Sequence, residues 1–211
     1  MTSAFDYKTQ REERWNAITH GFGLLLSLPA LVSLILKGLR QDSTLALVSY
    51  TIFGASMIML YLMSTLLHSV PWKYKKLFSI FDHSAIYFLI AGTYTPFVLL
   101  GIGGTLGWSL FGIVWGLTLF GTLFKVFFIH RFEVVSLILY VVMGWLIVIA
   151  IKPLYASLTG TGIALLVIGG MLYTLGALVY AWRKLPYNHA IWHLFVLAGS
   201  ASMYFSILLF L

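Results

Sequence analysis

Two histidines stand one helical turn apart in "PYNHAIWHLF", at His189 and His193, and the chain after them is apolar to Leu211. A similar spacing closes "YLMSTLLHSVPWKYKK", where Ser64 precedes His68 by four residues. A carboxylate, Asp82, stands near the start of "FDHSAIYFLIAGTYTPF". Residues four apart share one face of a helix. Neutral imidazole and carboxylate bind Zn²⁺ at about 2.0–2.2 Å, and an i,i+4 histidine pair is a common way for one helix to supply two ligands. Three protein ligands leave a fourth position for water, whose pKa falls toward about 7. Asp82 is then either a direct ligand or the group that holds and deprotonates this water. Ser64 is suited to hydrogen-bond the water or a ligand. The alternative for the HxxxH alone is a pair of interfacial histidines bonded to headgroups or backbone. The chain has no cysteine, so disulfides and thiolate ligands are excluded.

The elements that carry these residues follow from composition. Of 211 residues, 61% are hydrophobic and only 9% charged, with a mean hydropathy of +0.97. Soluble domains carry about 25% charged residues. So much apolar surface cannot all be turned inward in a chain this short, and the solvent must be lipid. Seven stretches are long enough to span, near 17–37, 44–68, 77–100, 106–128, 134–151, 162–182 and 189–211. Each is about 18–25 residues, which at a rise of about 1.5 Å crosses a core of about 30 Å. The fifth is the shortest. The reading is an all-α membrane protein: residues 1–16 as a cytoplasmic N-terminal segment, and residues 17–211 as a single seven-helix bundle without internal repeats. The first sixteen residues mix acids with bases, and the apolar run after them is too long for a signal peptide, so the first span is expected to be retained.

Charge placement orients the bundle. One side holds the N-terminus and the connections between spans 2–3, 4–5 and 6–7, with Lys8, Arg11, Arg14, Lys73, Lys75, Lys76, Lys125, Arg131, Arg183 and Lys184. The other side holds Lys37, Arg40 and Lys152. Ten against three places the N-terminus in the cytoplasm and the C-terminus outside. The net charge of +7 belongs to this bias and to anionic lipid headgroups. No basic soluble domain exists to hold nucleic acid. On this topology His68 ends span 2, Asp82 lies one turn inside span 3, and His189 and His193 open span 7. All four come to one depth on the cytoplasmic side, although only Lys and Arg entered the orientation.

The combination of SxxxH closing span 2, "FDHSAIYFLIAGTYTPF" in span 3, HxxxH opening span 7 and "ERWNAITHGFG" opening span 1 resembles the hemolysin III branch of the progestin and adipoQ receptor family. The resemblance covers essentially the whole chain. It implies a seven-helix fold in a bacterial plasma membrane, N-terminus in, with zinc near the cytoplasmic side. Its zinc ligands fall on His68, His189 and His193, the carboxylate near the zinc-bound water on Asp82, and the serine beside it on Ser64. Alkaline ceramidases are similar at this site, which implies lipid amide or ester hydrolysis as a candidate chemistry.

Other polar residues are expected to serve packing or interfaces. His20, with Asn16 one turn earlier, either joins the surroundings of the site or faces headgroups. His83, about 100° around the helix from Asp82, is expected to be an interface or inter-helix hydrogen-bonding group, and His130 a solvated loop residue. Pro96 is expected to kink span 3, with Tyr94 and Thr95 placed to satisfy the freed carbonyl. Gly112 and Gly116, flanked by Gly107 and Gly121, read as bundle packing or a dimer face. Trp15, Trp72, Trp182 and Trp192 are expected at the cytoplasmic interface.

Two function classes remain: a zinc-dependent hydrolase with Asp82 as base, or a non-enzymatic lipid or fluidity sensor or pore-forming cytolysin with a structural zinc. Membrane lipids are the expected partners in both, and the oligomeric state stays open. Orientation is testable because the chain has no native thiol. With single cysteines at positions 75 and 152, an impermeant thiol reagent on intact cells is expected to label 152 and spare 75. The reverse pattern would overturn the topology.

Overall fold

A computed structural model describes residues 4–129 and 131–211; His130 lies outside them. Within the described residues eight α-helices follow in order: α1 Ala4–Arg40, α2 Thr44–Ser69, α3 Lys75–Pro96, α4 Gly104–Phe128, α5 Glu133–Trp145, α6 Ile151–Ser157, α7 Gly160–Ala181 and α8 Asn188–Phe210. Among the described residues, seven helical stretches are long and apolar enough to cross a membrane, and there is no strand. The fifth combines α5, a 3₁₀ stretch Leu146–Ala150 and α6, and so runs past its expected end at 151 to Ser157. The first helix begins well before residue 17, so part of the expected N-terminal segment is helical.

The third span lies at the centre: 67% of its most apolar window is buried, against 22% for the first. It packs on α2, α4 and α5, while α1 packs between α2 and α8, and α7 against α8. Glycines set the close approaches. A Cβ on Gly92 would meet Ser56 Oγ at 2.2 Å, so α2 and α3 touch there almost backbone to backbone. On α4 the tight positions are Gly107, against the Val98 carbonyl at 2.2 Å, and Gly121, against the Tyr87 ring at 2.4 Å. Gly112 and Gly116 have nothing within 4 Å and are exposed, so the GxxxG pair does not pack inside this chain.

Pro96 ends the α-helical part of span 3, and a wider π-helical turn, Phe97–Ile102, completes it. Without an N–H at Pro96 the regular ladder cannot continue, and a π turn is one way to re-form it. Thr95 Oγ1 donates to the Ala91 carbonyl at 2.8 Å. Tyr94 serves a different helix than expected. Its hydroxyl donates to the Met143 carbonyl at 2.8 Å and accepts from the Ile147 N–H at 2.7 Å, bridging the point where α5 gives way to 3₁₀ geometry.

Gly121→Ala is expected to destabilise the protein by about 1–3 kcal/mol, because the Tyr87 ring is fully buried and cannot yield freely. Gly116→Ala on the same helix is expected to cost nothing, since alanine is the better helix former by about 1 kcal/mol and meets open space. Thermal unfolding of both variants in detergent checks the contrast.

Candidate metal centre

The site forms where the C-terminal end of α2 and the first turns of α8 meet the Glu13–His20 stretch of α1 and the second turn of α3. Helix α2 stops just after His68: Val70 is extended (ψ 152°), as expected before Pro71, and its N–H returns to the Leu66 carbonyl at 2.9 Å. Lys75, at the start of α3, donates to the Leu67 carbonyl at 2.6 Å and so caps the end of α2. Helix α8 begins after Tyr187, which holds a left-handed φ of 56°. Asn188 Nδ2 then donates to the Tyr180 carbonyl at 2.9 Å, pinning the start of α8 to the end of α7. Gly176 admits Trp192 and Phe195 so closely that its missing Cβ would lie 2.6–2.7 Å from them. That contact draws Trp192 against α7 and leaves it half-buried, unlike the exposed Trp15, Trp72 and Trp182. It also turns His189 and His193 toward α2.

The result is a group of three imidazoles. His68, His189 and His193 each offer a ring nitrogen, and these lie within 4.8 Å of one another. The ring centroids are 4.9 Å apart for His68 and His189, 5.4 Å for His68 and His193, and 4.6 Å for His189 and His193. His193 is 1% exposed. His68 Nε2 is buried without a hydrogen-bond partner. An orphaned imidazole nitrogen facing two others is costly unless a cation shares its lone pair. The donor set fits a divalent ion of borderline softness such as Zn²⁺, with all-nitrogen ligation and no thiolate.

Ser64 and Asp82 border the same space. Ser64 is fully buried one turn below His68, and its Oγ has no partner. Asp82 is 7% exposed, outside the group of three, and its Oδ2 lies 3.8 Å from His83 Nδ1. Both line a cavity of about 120 Å³ with His20, His189 and His193. The cavity continues between apolar walls from Ile86 and Ile90 on α3 to Leu137 and Val141 on α5, and ends near Trp145 and Gly170. Trp145 Nε1 donates to Thr174 Oγ1 at 3.0 Å, joining α5 to α7 beside it.

His20 is drawn in, not left to headgroups. It is 3% exposed, its ring stacks on His193 with centroids 3.5 Å apart, and neither ring nitrogen has a partner. His83 bonds within its own helix, its Nδ1 lying 2.8 Å from the Ser79 carbonyl. The inter-helix bond there runs to the His83 carbonyl, from the Tyr140 hydroxyl at 2.9 Å. Glu13, assigned no role from the sequence, is the addition: its Oε2 lies 3.2 Å from His68 Nδ1 and also pairs with Lys75. The available signal was the spacing of Glu13, Asn16 and His20, at i, i+3 and i+7 on one helix face.

Residues 8–204 match the family described as haemolysin-III related. Hemolysin-3 of Bacillus cereus is 54% identical over the whole of this chain and 97% of the relative. The hemolysin-3 homolog of Bacillus subtilis is 57% identical over 96% of this chain and 95% of the relative. The human monocyte to macrophage differentiation factor, a progestin and adipoQ receptor family protein, is 31% identical over 93% of this chain and 83% of the relative. Seven apolar helices and these matches together establish that the chain is a multi-pass integral membrane protein of the hemolysin III family.

Proposed function

We propose that the protein binds one zinc ion through His68, His189 and His193 on the cytoplasmic side of the membrane, and uses it to hydrolyse an amide or ester bond of a membrane lipid. The observation that carries this reading is a group of three imidazoles, two of which, His189 and His193, line a largely apolar cavity together with an unpartnered serine hydroxyl and a buried carboxylate. A purely structural tie between helices needs neither the carboxylate nor the cavity.

When bound, zinc would supply Lewis acidity toward a carbonyl oxygen and make a nearby water more acidic. The chain's own residues supply the rest. Asp82 accepts the proton of the attacking water and returns it to the leaving nitrogen or oxygen as the carbonyl carbon's bond to that atom breaks. The Ser64 hydroxyl, free of any other bond and lining the same cavity as Asp82, would be free to hydrogen-bond that water. Ile86, Ile90 and Val141 offer apolar contact to a stretch of acyl chain. At about 120 Å³ the cavity takes only part of a lipid, so the remaining tail stays in the bilayer beside α5 and α7.

Protein purified without chelators is expected to carry about one zinc per chain, the content of a single three-ligand site. The double variant His189→Ala, His193→Ala is expected to carry none by elemental analysis. Equal zinc in the two proteins would sink the site.

Asp82→Asn separates catalysis from structure. It is expected to lower turnover about 10²–10⁴-fold, the usual loss of a general base, while zinc content is kept. The assay screens ceramide-like and phospholipid substrates with zinc-loaded protein in lipid. No turnover by the wild type across that screen would favour a lipid sensor with a structural metal.

A further inference from the structure

The sequence "ERWNAITHGFG", from Glu13 within α1, carries polar residues that the proposed hydrolysis does not use. Their contacts converge on the back of the histidine cluster. Glu13 Oε2 lies 3.2 Å from His68 Nδ1. The Asn16 carbonyl lies 3.1 Å and Thr19 Oγ1 3.0 Å from His193 Nδ1. Thr19 Oγ1 also lies 2.9 Å from the Trp15 carbonyl, to which its hydroxyl donates, so toward His193 it accepts.

Each of these partners acts as an acceptor. A carboxylate and a peptide carbonyl carry no proton to give, so the nitrogen facing them must carry one. His68 and His193 therefore both hold their proton on Nδ1, and both keep the Nε2 lone pair free. His68 Nε2 is the buried nitrogen that has no partner in the protein. Metal-binding histidines are oriented in this way by a carboxylate or carbonyl behind them, which fixes the tautomer and raises ligand basicity.

We infer that the face of α1 bearing Glu13, Asn16 and Thr19 is the outer shell of the metal site, fixing the tautomers of His68 and His193 so that both present Nε2, with Glu13 as a positioning residue for His68. This rests on the metal reading above. Lys75 pairs with the same Glu13 oxygen and holds that carboxylate in place from α3. His20, stacked on His193, limits rotation of that ring from the other side.

The test measures zinc affinity of the full chain in nanodiscs by chelator competition, with the absorption spectrum of the Co²⁺-substituted protein as a second readout. Glu13→Ala is expected to weaken zinc about 10–100-fold and to alter the Co²⁺ spectrum, with Glu13→Asp recovering part of both. Lys75→Met removes the ion pair and the partner of the Leu67 carbonyl but keeps the carboxylate behind His68. It is expected to weaken zinc less than Glu13→Ala does, because the acceptor that fixes the His68 tautomer remains. Thr19→Val removes one of two acceptors on His193 and is expected to give a smaller loss, independent of Glu13. Unchanged affinity in both Glu13→Ala and Thr19→Val would overturn the inference. So would equal losses in Glu13→Ala and Lys75→Met with equal falls in apo-protein melting temperature, which would reduce Glu13 to an ion-pair tie. A wild type that binds no zinc at all would instead strike down the metal reading itself.

Discussion

A polar group in hydrocarbon must find its partner inside the protein, and the arrangement of this bundle follows from that constraint. The buried polar side chains of the site come from α1, α2, α3 and α8, and they lie close to the helix ends where Lys75 and Glu13 still reach water. Depth matters here. Near the interface, Glu13 can be ionised and half-exposed on one side while it touches a buried imidazole on the other. Placed two turns deeper, the same carboxylate would be far more costly to ionise, and it could not serve as a charged acceptor for His68.

The same constraint explains what the sequence makes legible. Hydropathy marks where hydrocarbon lies, so interior spans agree closely: 44–68 against Thr44–Ser69, and 189–211 against Asn188–Phe210. It does not mark where a helix ends. Helix α1 continues outward beyond residue 17 because its polar face is occupied by contacts to His68 and His193, which hydropathy cannot register. The fifth span, placed at 134–151 by its apolar run, is followed by Lys152 and Pro153. Yet Pro153 falls in the first turn of α6, where its missing N–H is not needed, and the helix resumes.

Residue type and depth were enough to bring His68, His189 and His193 to one place, because i,i+4 spacing and helix direction are properties of the chain itself. Which way a side chain faces within a shared depth was not. His83 and Trp192 stand at the right level but turn to their own helix and to α7. Gly112 and Gly116 carry a small-residue spacing but face outward, whereas Gly121 meets Tyr87. Rotation about a helix axis is set by partners elsewhere in the chain, and a local pattern does not contain them.

The wall opposite the histidines has a different character. Where α5 passes into the 3₁₀ stretch, the regular ladder is interrupted, and the Tyr94 hydroxyl takes its place by accepting from Ile147 and donating to Met143. Tyr94 belongs to the enclosed third span, so a side chain on the rigid centre of the bundle stands in for a backbone bond in its outer wall. Trp145, at the same junction, is tied to Thr174 by one bond on the exposed side. The histidine side is packed through Gly176 against Trp192 and Phe195, whereas the α5 side is joined to its neighbours by side-chain hydrogen bonds across a helix break.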